Sequence, residues 1–301
     1  SLALLCQFPA FPQTYGEITG TVTDPSGAVV VNANVIITAL ATNQVRRFQT
    51  SQAGTYTASF LLPGAYSVQV EMTGFKTATR RDVQVQVGTV TRADFSLEVG
   101  EVTQSVEVTG TGMLLATETT DVGQVIDNRR VTELPLNGRN YMNLISLSTN
   151  VTAEMGAGGA GTQGGERAQQ SFSVSGGRQE FNYYTLDGIT NTDVNYNTFI
   201  VRPSVDAMQE FKVQTGVYPA EFGRATAQIN VATKAGTNDY HAVMFEFLRN
   251  DKLDAREWLK SGRKNPFRRN QFGFTFSGRL IRDKLFFMSN FESLHDVKTL
   301  E

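Results

Sequence analysis

"QFGFTFSGRLIRDKLFFMSNFESL", residues 271–294, decides the fold class of this chain. Its first half alternates: Phe272, Phe274 and Phe276 fall on one face of an extended strand, and polar residues fall on the other. A second apolar strand follows after a tight turn at 281–283. In water an aromatic face of this kind needs a partner sheet, whereas in a membrane β-barrel lipid covers it directly. The pattern therefore predicts barrel strands whose apolar side faces a bilayer.

A further strand of the same type precedes these two. "HAVMFEFL", residues 241–248, places Val243, Phe245 and Phe247 on one face, which we also expect to face lipid. The polar segment 249–269, with eight Lys or Arg residues, then separates it from the next strand. Long outer loops and short periplasmic turns are typical of outer-membrane barrels, so the chain is expected to rise from the periplasm along this strand. The basic loop would lie outside, either contacting lipopolysaccharide phosphates or only solvated.

Residues 16–99 carry strand and turn patterns almost throughout. "GEITGTVTDPSGAVVVNANVIIT" is an alternating strand, a turn at Asp24–Gly27 and another strand, and similar units follow. Several short strands at regular spacing predict an immunoglobulin-like or prealbumin-like β-sandwich. The segment resembles the carboxypeptidase regulatory-like domain, which carries no catalytic residues and implies a spacer or docking module. The matching residues are Gly20-Thr21-Val22, Asp24, Gly27, Ala33, Val35, Gly54-Thr55-Tyr56, Leu62-Pro63-Gly64, Tyr66 and Gly74-Phe75.

The region between these two parts mixes short helices with strands. "DNRRVTEL" predicts a helix capped by Asp127, and Leu134-Pro135 ends it because a residue before proline leaves the α region. Asn137-Gly138 makes a turn, and a second helix is expected to begin with Arg139 and Asn140. Further on, Gly156–Gly161 has the spacing G-x-G-x-x-G, but no strand precedes it, so a flexible loop is predicted.

Charged and metal-binding residue types give little support to catalysis. The net charge of −2 argues against a general nucleic-acid binder, and Cys6 is the only cysteine. The two histidines, His241 and His295, belong to no metal or nucleophile motif, so we expect no enzyme, no cofactor and no metal site. Asp187 and Asp193 bracket "DGITNTD" and could hold a cation, although a hairpin turn at Asp187-Gly188 is the simpler interpretation. Glu210 and Arg224 are candidates for ion pairs inside the region or for contacts to the barrel wall.

Three consecutive segments together resemble the plug domain of a TonB-dependent outer-membrane receptor: "ELPLNGRNYMNLISL", "SFSVSGGRQEFNYYTLDGI" and "SVDAMQEFKVQTGVYPAEFGRATAQINVATKAGTN". With the sandwich before and the barrel after, the order resembles the Oar-like receptors. One departure is Leu147–Val151, where the family usually has L-x-P-G-V. The resemblance implies structural roles for Leu134, Pro135, Asn137, Gly138, Arg139, Asn140, Asp187, Gly188, Glu210, Gly223, Lys234 and Gly236.

The resemblance also implies a short extended segment before the plug, through which a TonB-type periplasmic energy transducer pulls. The candidate is Ser105, Val106, Glu107, Val108 and Thr109, whose valine-rich alternation suits strand addition to a partner's sheet edge. An ordinary last strand of the sandwich, or a linker, explains the same residues equally well.

These inferences divide the chain into five parts. They are a secretory-signal remnant (1–15), the sandwich (16–100), a linker with the coupling segment (101–112), the plug (113–236) and the first three or so barrel strands (237–301). A lipidated Cys6 or a buried apolar start are the alternatives for the first part. Because transporters of this type have about 22 strands, we expect the chain to be the N-terminal piece of a longer receptor.

The expected function is uptake across the Gram-negative outer membrane, with the sandwich in the periplasm. The substrate class stays open among siderophores, carbohydrates, peptides and similar molecules. The alternative is a periplasmic or cell-surface protein that binds carbohydrate or protein in adhesion, without transport.

Overall fold

The computed structural model describes residues 15–100, 105–107, 122–134, 136–153, 172–178, 181–195, 198–216, 225–255 and 266–298. The expectations for the segment before Tyr15, for the glycine-rich loop, for most of the basic loop, and for Val108, Thr109, Pro135, Gly223 and Arg224 lie outside these residues. Among the described helices, none is long and apolar enough to cross a membrane. The prediction of a mainly β fold is confirmed.

The first part of the chain forms two packed sheets. Its strands are β1 (Gly16–Thr23), β2 (Asn34–Ala39), β3 (Val45–Gln49), β4 (Thr55–Leu61), β5 (Gly64–Glu71), β6 (Thr77–Val85), β7 (Val90–Arg92), β8 (Phe95–Ser96) and β9 (Ser105–Glu107). One sheet has the order β4-β1-β7, with β8 also paired to β1, and the other has the order β3-β2-β5-β6-β9. Alternate residues of β1, β2 and β5 are buried between the sheets, as the period-two patterning requires.

The central region is built on a second five-stranded sheet. Its strands are β10 (Gly123–Asp127), β13 (Asn182–Leu186), β14 (Ile189–Thr190), β15 (Met208–Gln214) and β16 (Ala227–Thr233), in the order β10-β15-β16-β13-β14. The strands β11 (Val151–Ala153) and β12 (Phe172–Val174) pair separately. One face of β15 and β16 packs on the helices through Phe211, Val213, Ile229 and Val231.

The helical joint differs in detail from the prediction. Helix α1 (Asn128–Glu133) begins at Asp127, whose carboxylate accepts a hydrogen bond from the Arg130 amide at 2.9 Å. Two 3₁₀ helices follow, Asn137–Arg139 and Tyr141–Leu147. Arg139 therefore ends the turn, and Asn140 is the N-cap of the next helix, so neither lies in its first turn as expected. A 3₁₀ helix instead of an α-helix buries Tyr141, Met142, Leu144 and Ile145 under the sheet.

The Leu147–Val151 departure has a local conformational explanation. Asn150 has a φ of +62°, in the left-handed region, and occupies the place of the family's glycine. Asparagine tolerates that conformation better than other residues with a Cβ. The chain therefore forms the turn into β11 with neither proline nor glycine at these positions.

The last part of the chain is an antiparallel three-stranded sheet. It consists of β17 (His241–Asn250), β18 (Phe267–Ile281) and β19 (Leu285–Lys298), in that order. Phe272, Phe274 and Phe276 lie exposed on one side of β18, next to Phe287 and Phe291 of β19. The other side of β18 carries buried Gln271, Thr275 and Ser277, as the alternation predicts.

The prediction for β17 is wrong in its direction. Val243, Phe245 and Phe247 pair with Thr275, Gly273 and Gln271, which places them on the polar side of the sheet, towards the central region. Ala242, Met244, Glu246 and Leu248 form the outer side. Both faces of β17 are largely apolar, so alternation alone does not decide which face is turned outward, and the pairing register does.

Candidate functional site

Arg139 joins the central region to the three-stranded sheet. Its guanidinium forms an ion pair with Asp206, and both side chains are largely buried. The Arg139 Cζ also lies 4.0 Å from the ring centroid of Phe245 and 5.4 Å from that of Phe247. A guanidinium over an aromatic face is attracted by the ring quadrupole. The arginine therefore accounts for the inward-facing aromatic side chains of β17.

A cleft of about 540 Å³ opens beside this contact. One wall is α1 and the turn after it, and the other is the inner side of β17 and β18. Two arginines besides Arg139 line it, Arg249 and Arg269, and each has a carboxylate partner, Asp254 at 3.0 Å and Asp296 at 2.8 Å. The cleft thus combines apolar walls with charge-compensated arginines.

Gly236 and the Asp187-Gly188 pair have structural roles in the backbone. Gly236 lies so close to the barrel sheet that a Cβ there would be 2.5 Å from the carbonyl oxygen of Phe287. The Asp187-Gly188 pair forms the two-residue turn between β13 and β14, both with positive φ. The Asp187 carboxylate accepts hydrogen bonds from the amide and the hydroxyl of Thr233, each at 2.8 Å. This use of the carboxylate agrees with the simpler interpretation of the "DGITNTD" pair as a turn.

Lys234 lies near Asp206, the partner of Arg139, and Asn140 caps the helix that follows Arg139. The Lys234 amide donates to the Ala207 carbonyl, next to Asp206. Burial lowers the pKa of Lys234, and the charge of Asp206 opposes that shift. Leu134 is partly exposed at the end of α1, and the carbonyl of Gly138 accepts a hydrogen bond from Gln271 Nε2 at 3.3 Å. The bond from Gln271 to Gly138 therefore attaches the helical joint to strand β18.

Within the part of the chain that the structure describes, Glu210 contacts the sandwich and not the barrel strands. It lies on the second face of the sheet, where Lys212, Gln214, Gln228 and Asn230 are also buried. Its carboxylate accepts a short hydrogen bond from the amide of Val87, in the turn after β6 of the sandwich. Burial raises the pKa of Glu210 to about 7, against the opposing effect of that hydrogen bond.

Lys212 makes a second contact to the same turn. Its Nζ donates to the carbonyl of Gly88 at 2.7 Å, and Val87 is fully buried. Sequence reasoning did not select Lys212. The period-two pattern "MQEFKVQ" was the available indication, because it places Glu210 and Lys212 on a face opposite Phe211 and Val213.

The sandwich also contacts the β18–β19 turn and the segment that precedes β17. The Asn238 amide donates to the Ala41 carbonyl at 2.9 Å, and Asp283 accepts hydrogen bonds from Asn43 at 3.0 Å and from Asn238 at 2.8 Å. The tight β18–β19 turn and the sandwich therefore lie at the same end of the strands. No sequence pattern pointed to this contact, because its residues are separated by about 240 positions.

The first three residues of the candidate coupling segment form strand β9. Ser105, Val106 and Glu107 pair in parallel with Thr77, Ala78 and Thr79 of β6. In the structure these three residues form the last strand of the sandwich, which is one of the two interpretations of this segment. Whether the segment also couples to a partner stays a prediction.

A second cleft, of about 420 Å³, lies on the sandwich itself. Tyr15, Phe60, Tyr66 and Arg46 line it, and the rings of Tyr15 and Phe60 meet edge to face at 5.8 Å. Phe60 and Tyr66 are close in the sequence, whereas Tyr15 precedes them by 45 positions or more, and only the fold brings it beside Phe60.

Comparisons with known proteins match both ends of the chain. The family described as "Carboxypeptidase regulatory-like domain" matches residues 17–98. The family described as "Outer membrane beta barrel domain" matches residues 232–300, which include β17, β18 and β19. A curated relative, the TonB-dependent transporter Oar of Myxococcus xanthus, is 26% identical over 298 residues, or 96% of this chain. The chain resembles a TonB-dependent outer-membrane receptor of the Oar type.

The relative is much longer than this chain, which spans 27% of its length. Among solved structures, the siderophore receptor PirA from Acinetobacter baumannii matches 57% of this chain and 24% of its own, with 21% identity and a TM-score of 0.41. A hydroxyquinol 1,2-dioxygenase from Pseudomonas putida matches 29% of this chain and 57% of its own, with 10% identity and a TM-score of 0.24. These two likenesses are too weak to carry an argument. The family matches and the curated relative identify an outer-membrane protein.

Proposed function

We propose that this chain is the sandwich, plug and first barrel strands of a receptor that takes up a substrate across the outer membrane. In this proposal residues 113–236 are the plug, and the chain enters the barrel after 236. A TonB-type transducer in the periplasm pulls on the segment around 105–109 and so displaces the plug. The chain itself is not catalytic. Its substrate is a siderophore, a carbohydrate, a peptide or a similar molecule.

The observation that supports this proposal best is the attachment of the central region to the inner side of the barrel strands. Arg139 pairs with Asp206 and covers Phe245, and Gln271 bonds to Gly138. A region that must be held in a lumen and yet be released is better held by polar and cation–π contacts than by an apolar seal. The cleft beside Arg139 lies between plug and wall, where a substrate entering from outside would meet both.

The experiment uses the gene product that carries this chain, in its own host. A strain lacking the gene is complemented with the wild type or with a variant in which residues 101–110 are replaced by an equal length of Gly and Ser. Growth is scored on panels of ferric siderophores, glycans and peptides as sole iron or carbon source. We expect the wild type to restore growth on one class and the variant to fail, although immunoblots of outer membranes show equal amounts. Full complementation by the variant would show that active transport is the wrong function.

A second candidate function has one specific observation in its favour. The sandwich cleft with Tyr15, Phe60 and Tyr66 offers aromatic surface of the kind that sugar rings and peptide side chains pack against. In this alternative the sandwich binds a glycan or protein and no transport takes place. Phe60→Ala would then abolish adhesion, whereas replacement of 101–110 would not. The basic loop around 249–269 is a further proposal, as a contact for lipopolysaccharide phosphates on the outer surface.

A further inference from the structure

Phe60 is held in a strained conformation at the surface of the sandwich. Its φ is +60°, in the left-handed region, and its side chain is 58% exposed. A bulky residue in this region is a conformational outlier, because its Cβ crowds the backbone carbonyl oxygen. Among the non-glycine residues with a positive φ that the structure describes, Phe60 is the only aromatic one. Because strain of this kind collects at functional sites, the position of the ring needs a functional explanation.

A β-bulge produces this conformation. In the pairing of β1 with β4, the register shifts between Gly16 and Ile18, so that Glu17 alone opposes Ser59 and Phe60. Bulges re-aim a side chain and are frequent at sheet edges, and β4 is an edge strand of its sheet. The ring of Phe60 is therefore presented to the cleft of about 420 Å³ and not to the core of the sandwich.

Two side chains of the other sheet hold the bulge in place. Arg46 of β3 donates from Nη1 to the carbonyl oxygens of Ser59 at 2.7 Å and of Phe60 at 3.0 Å. Tyr66 of β5 donates its hydroxyl to the carbonyl oxygen of Leu62 at 2.7 Å. These bonds fix the backbone that carries the ring. An aromatic surface that is fixed before a ligand arrives binds with a small loss of conformational entropy.

Arg46 also brings a positive charge to the cleft. Its Nη1 serves the two carbonyls, and the edge formed by Nε and Nη2 is left for a further acceptor. In the part of the chain that the structure describes, no carboxylate forms an ion pair with Arg46, in contrast to the three arginines of the cleft beside Arg139. The Glu17 carboxylate bonds to the hydroxyl of Ser59 instead. An uncompensated guanidinium edge matches a carboxylate in bidentate geometry.

The cleft lies at the end of the sandwich that is attached to the rest of the chain. Ala39 and Gln44, which line it, flank the β2–β3 turn, and that turn bonds to the β18–β19 turn. At a second point, the carbonyl of Tyr15 accepts a hydrogen bond from the amide of Gly88 at 3.2 Å, and Gly88 is bonded to Lys212 of the central sheet. A cleft of about 420 Å³ beside two such attachments has the size of a small-molecule site and leaves little room for a folded partner.

We propose that this cleft binds a small molecule that carries both a ring and a carboxylate. The ring packs against Phe60 and Tyr15, whose own rings meet edge to face at 5.8 Å, and the carboxylate bonds to the Nε and Nη2 edge of Arg46. An aromatic acid and a uronic acid share this chemistry, because a sugar ring also packs on aromatic faces. The inference goes beyond the proposed function, since binding in this cleft requires no transport.

The test titrates small probes into the full gene product in nanodiscs and measures their binding by saturation-transfer NMR. Phenylacetate and its neutral amide represent aromatic acids, and glucuronate and glucose represent sugars. Phe60→Asn removes the ring, and asparagine tolerates the left-handed conformation. Its control is Val99→Asn, at an exposed residue of the sandwich outside the cleft. Arg46→Gln removes the charge, and its control is Arg47→Gln, at the next and exposed residue of β3.

We expect phenylacetate or glucuronate to bind at least about tenfold more tightly than its neutral counterpart, because its hydrogen bonds to Arg46 are charge-assisted. Phe60→Asn should lose this binding, while its melting temperature stays equal to that of the wild type or rises, because the strain is relieved. Arg46→Gln should remove the preference for the charged probe, a change that loss of the bulge alone would not produce. The two controls should bind as the wild type does. The pair of probes that responds identifies the ligand as an aromatic acid or a uronic acid.

Three results would overturn the inference. In the first, neither acid shows binding that depends on Phe60. In the second, each neutral probe binds as tightly as its acid. In the third, Phe60→Asn melts clearly below the wild type, because the ring would then serve the packing of the sandwich. None of these results bears on the transport proposal, which is tested by replacing residues 101–110.

Discussion

Glu210→Gln tests how the sandwich is held on the central region. Docking buries the carboxylate and raises its pKa from 4.5 to about 7. A group whose pKa is raised in the docked state prefers to be protonated there, so docking is strongest at low pH and weakens as the pH rises from 4.5 through 7. Above pH 7 the shift corresponds to about 3 kcal/mol against docking. Glutamine keeps the acceptor for the Val87 amide and carries no charge to desolvate.

Hydrogen exchange at residues 86–89, followed by mass spectrometry, measures this docking. Comparing both proteins at the same pH cancels the intrinsic exchange rate. We expect protection in Glu210→Gln to exceed that of the wild type by about two orders of magnitude at pH 8 and by less than tenfold at pH 5. Glu133→Gln, at an exposed carboxylate paired with Arg129, is the matched control and should change nothing. Equal protection at pH 8, or better protection in the wild type, would refute the reasoning and indicate that Lys212 compensates the ionised carboxylate.

Three further substitutions test other contacts by thermal denaturation of the purified outer-membrane protein. Arg139→Ala should lower the free energy of unfolding by about 3–5 kcal/mol, because it leaves a buried carboxylate unpaired. Phe245→Leu should lower it by only about 1 kcal/mol, because it removes only the cation–π contact. Equal losses in the two variants would contradict the role of the ion pair. Gly236→Ala should lower the free energy of unfolding by about 1–3 kcal/mol, because the added methyl group meets the carbonyl oxygen of Phe287. No change would show that the segment at Gly236 can move away from the barrel sheet freely. Asp187→Ala should lower the free energy of unfolding by about 1–3 kcal/mol. Asp187→Asn should lower it less, because asparagine tolerates the left-handed turn and keeps an acceptor for Thr233. The reverse order would contradict the structural role of the turn.

Local patterns were sufficient wherever one chain segment determines its own environment. The alternation in 271–280 predicts the two faces of β18, and Asp127 predicts the start of α1. The orientation of β17 could not be predicted in this way. Val243, Phe245 and Phe247 lie on an apolar face, but the opposite face of β17 is also apolar apart from Glu246. Only the register with β18 and the presence of Arg139 determine which face is turned inward.

Contacts between distant segments were beyond the reach of the sequence. Glu210 was selected as a charged residue that needed a partner, but its partner is a backbone amide of another domain, which leaves no trace in residue types. Asp283 was not selected either: its partners are the side-chain amides of Asn43 and Asn238, and Asn43 is 240 positions away in the chain. For the segment 105–109, the sequence allowed two interpretations because a strand that pairs within its own domain and a strand that pairs with a partner need the same residues.

Strand β6 brings these contacts into one mechanical arrangement. Its first residues, Thr77–Thr79, hold β9, and the turn directly after its last residue, Val85, supplies the groups that bond to Glu210 and Lys212. Movement of β6 would therefore strain β9 and the central strand β15 together. Strand β10, the first strand of the central sheet, pairs directly with β15. Strand β15 is therefore held by the sandwich through its polar side chains and by β10 through its backbone, so a force on either neighbour reaches the central sheet through this strand.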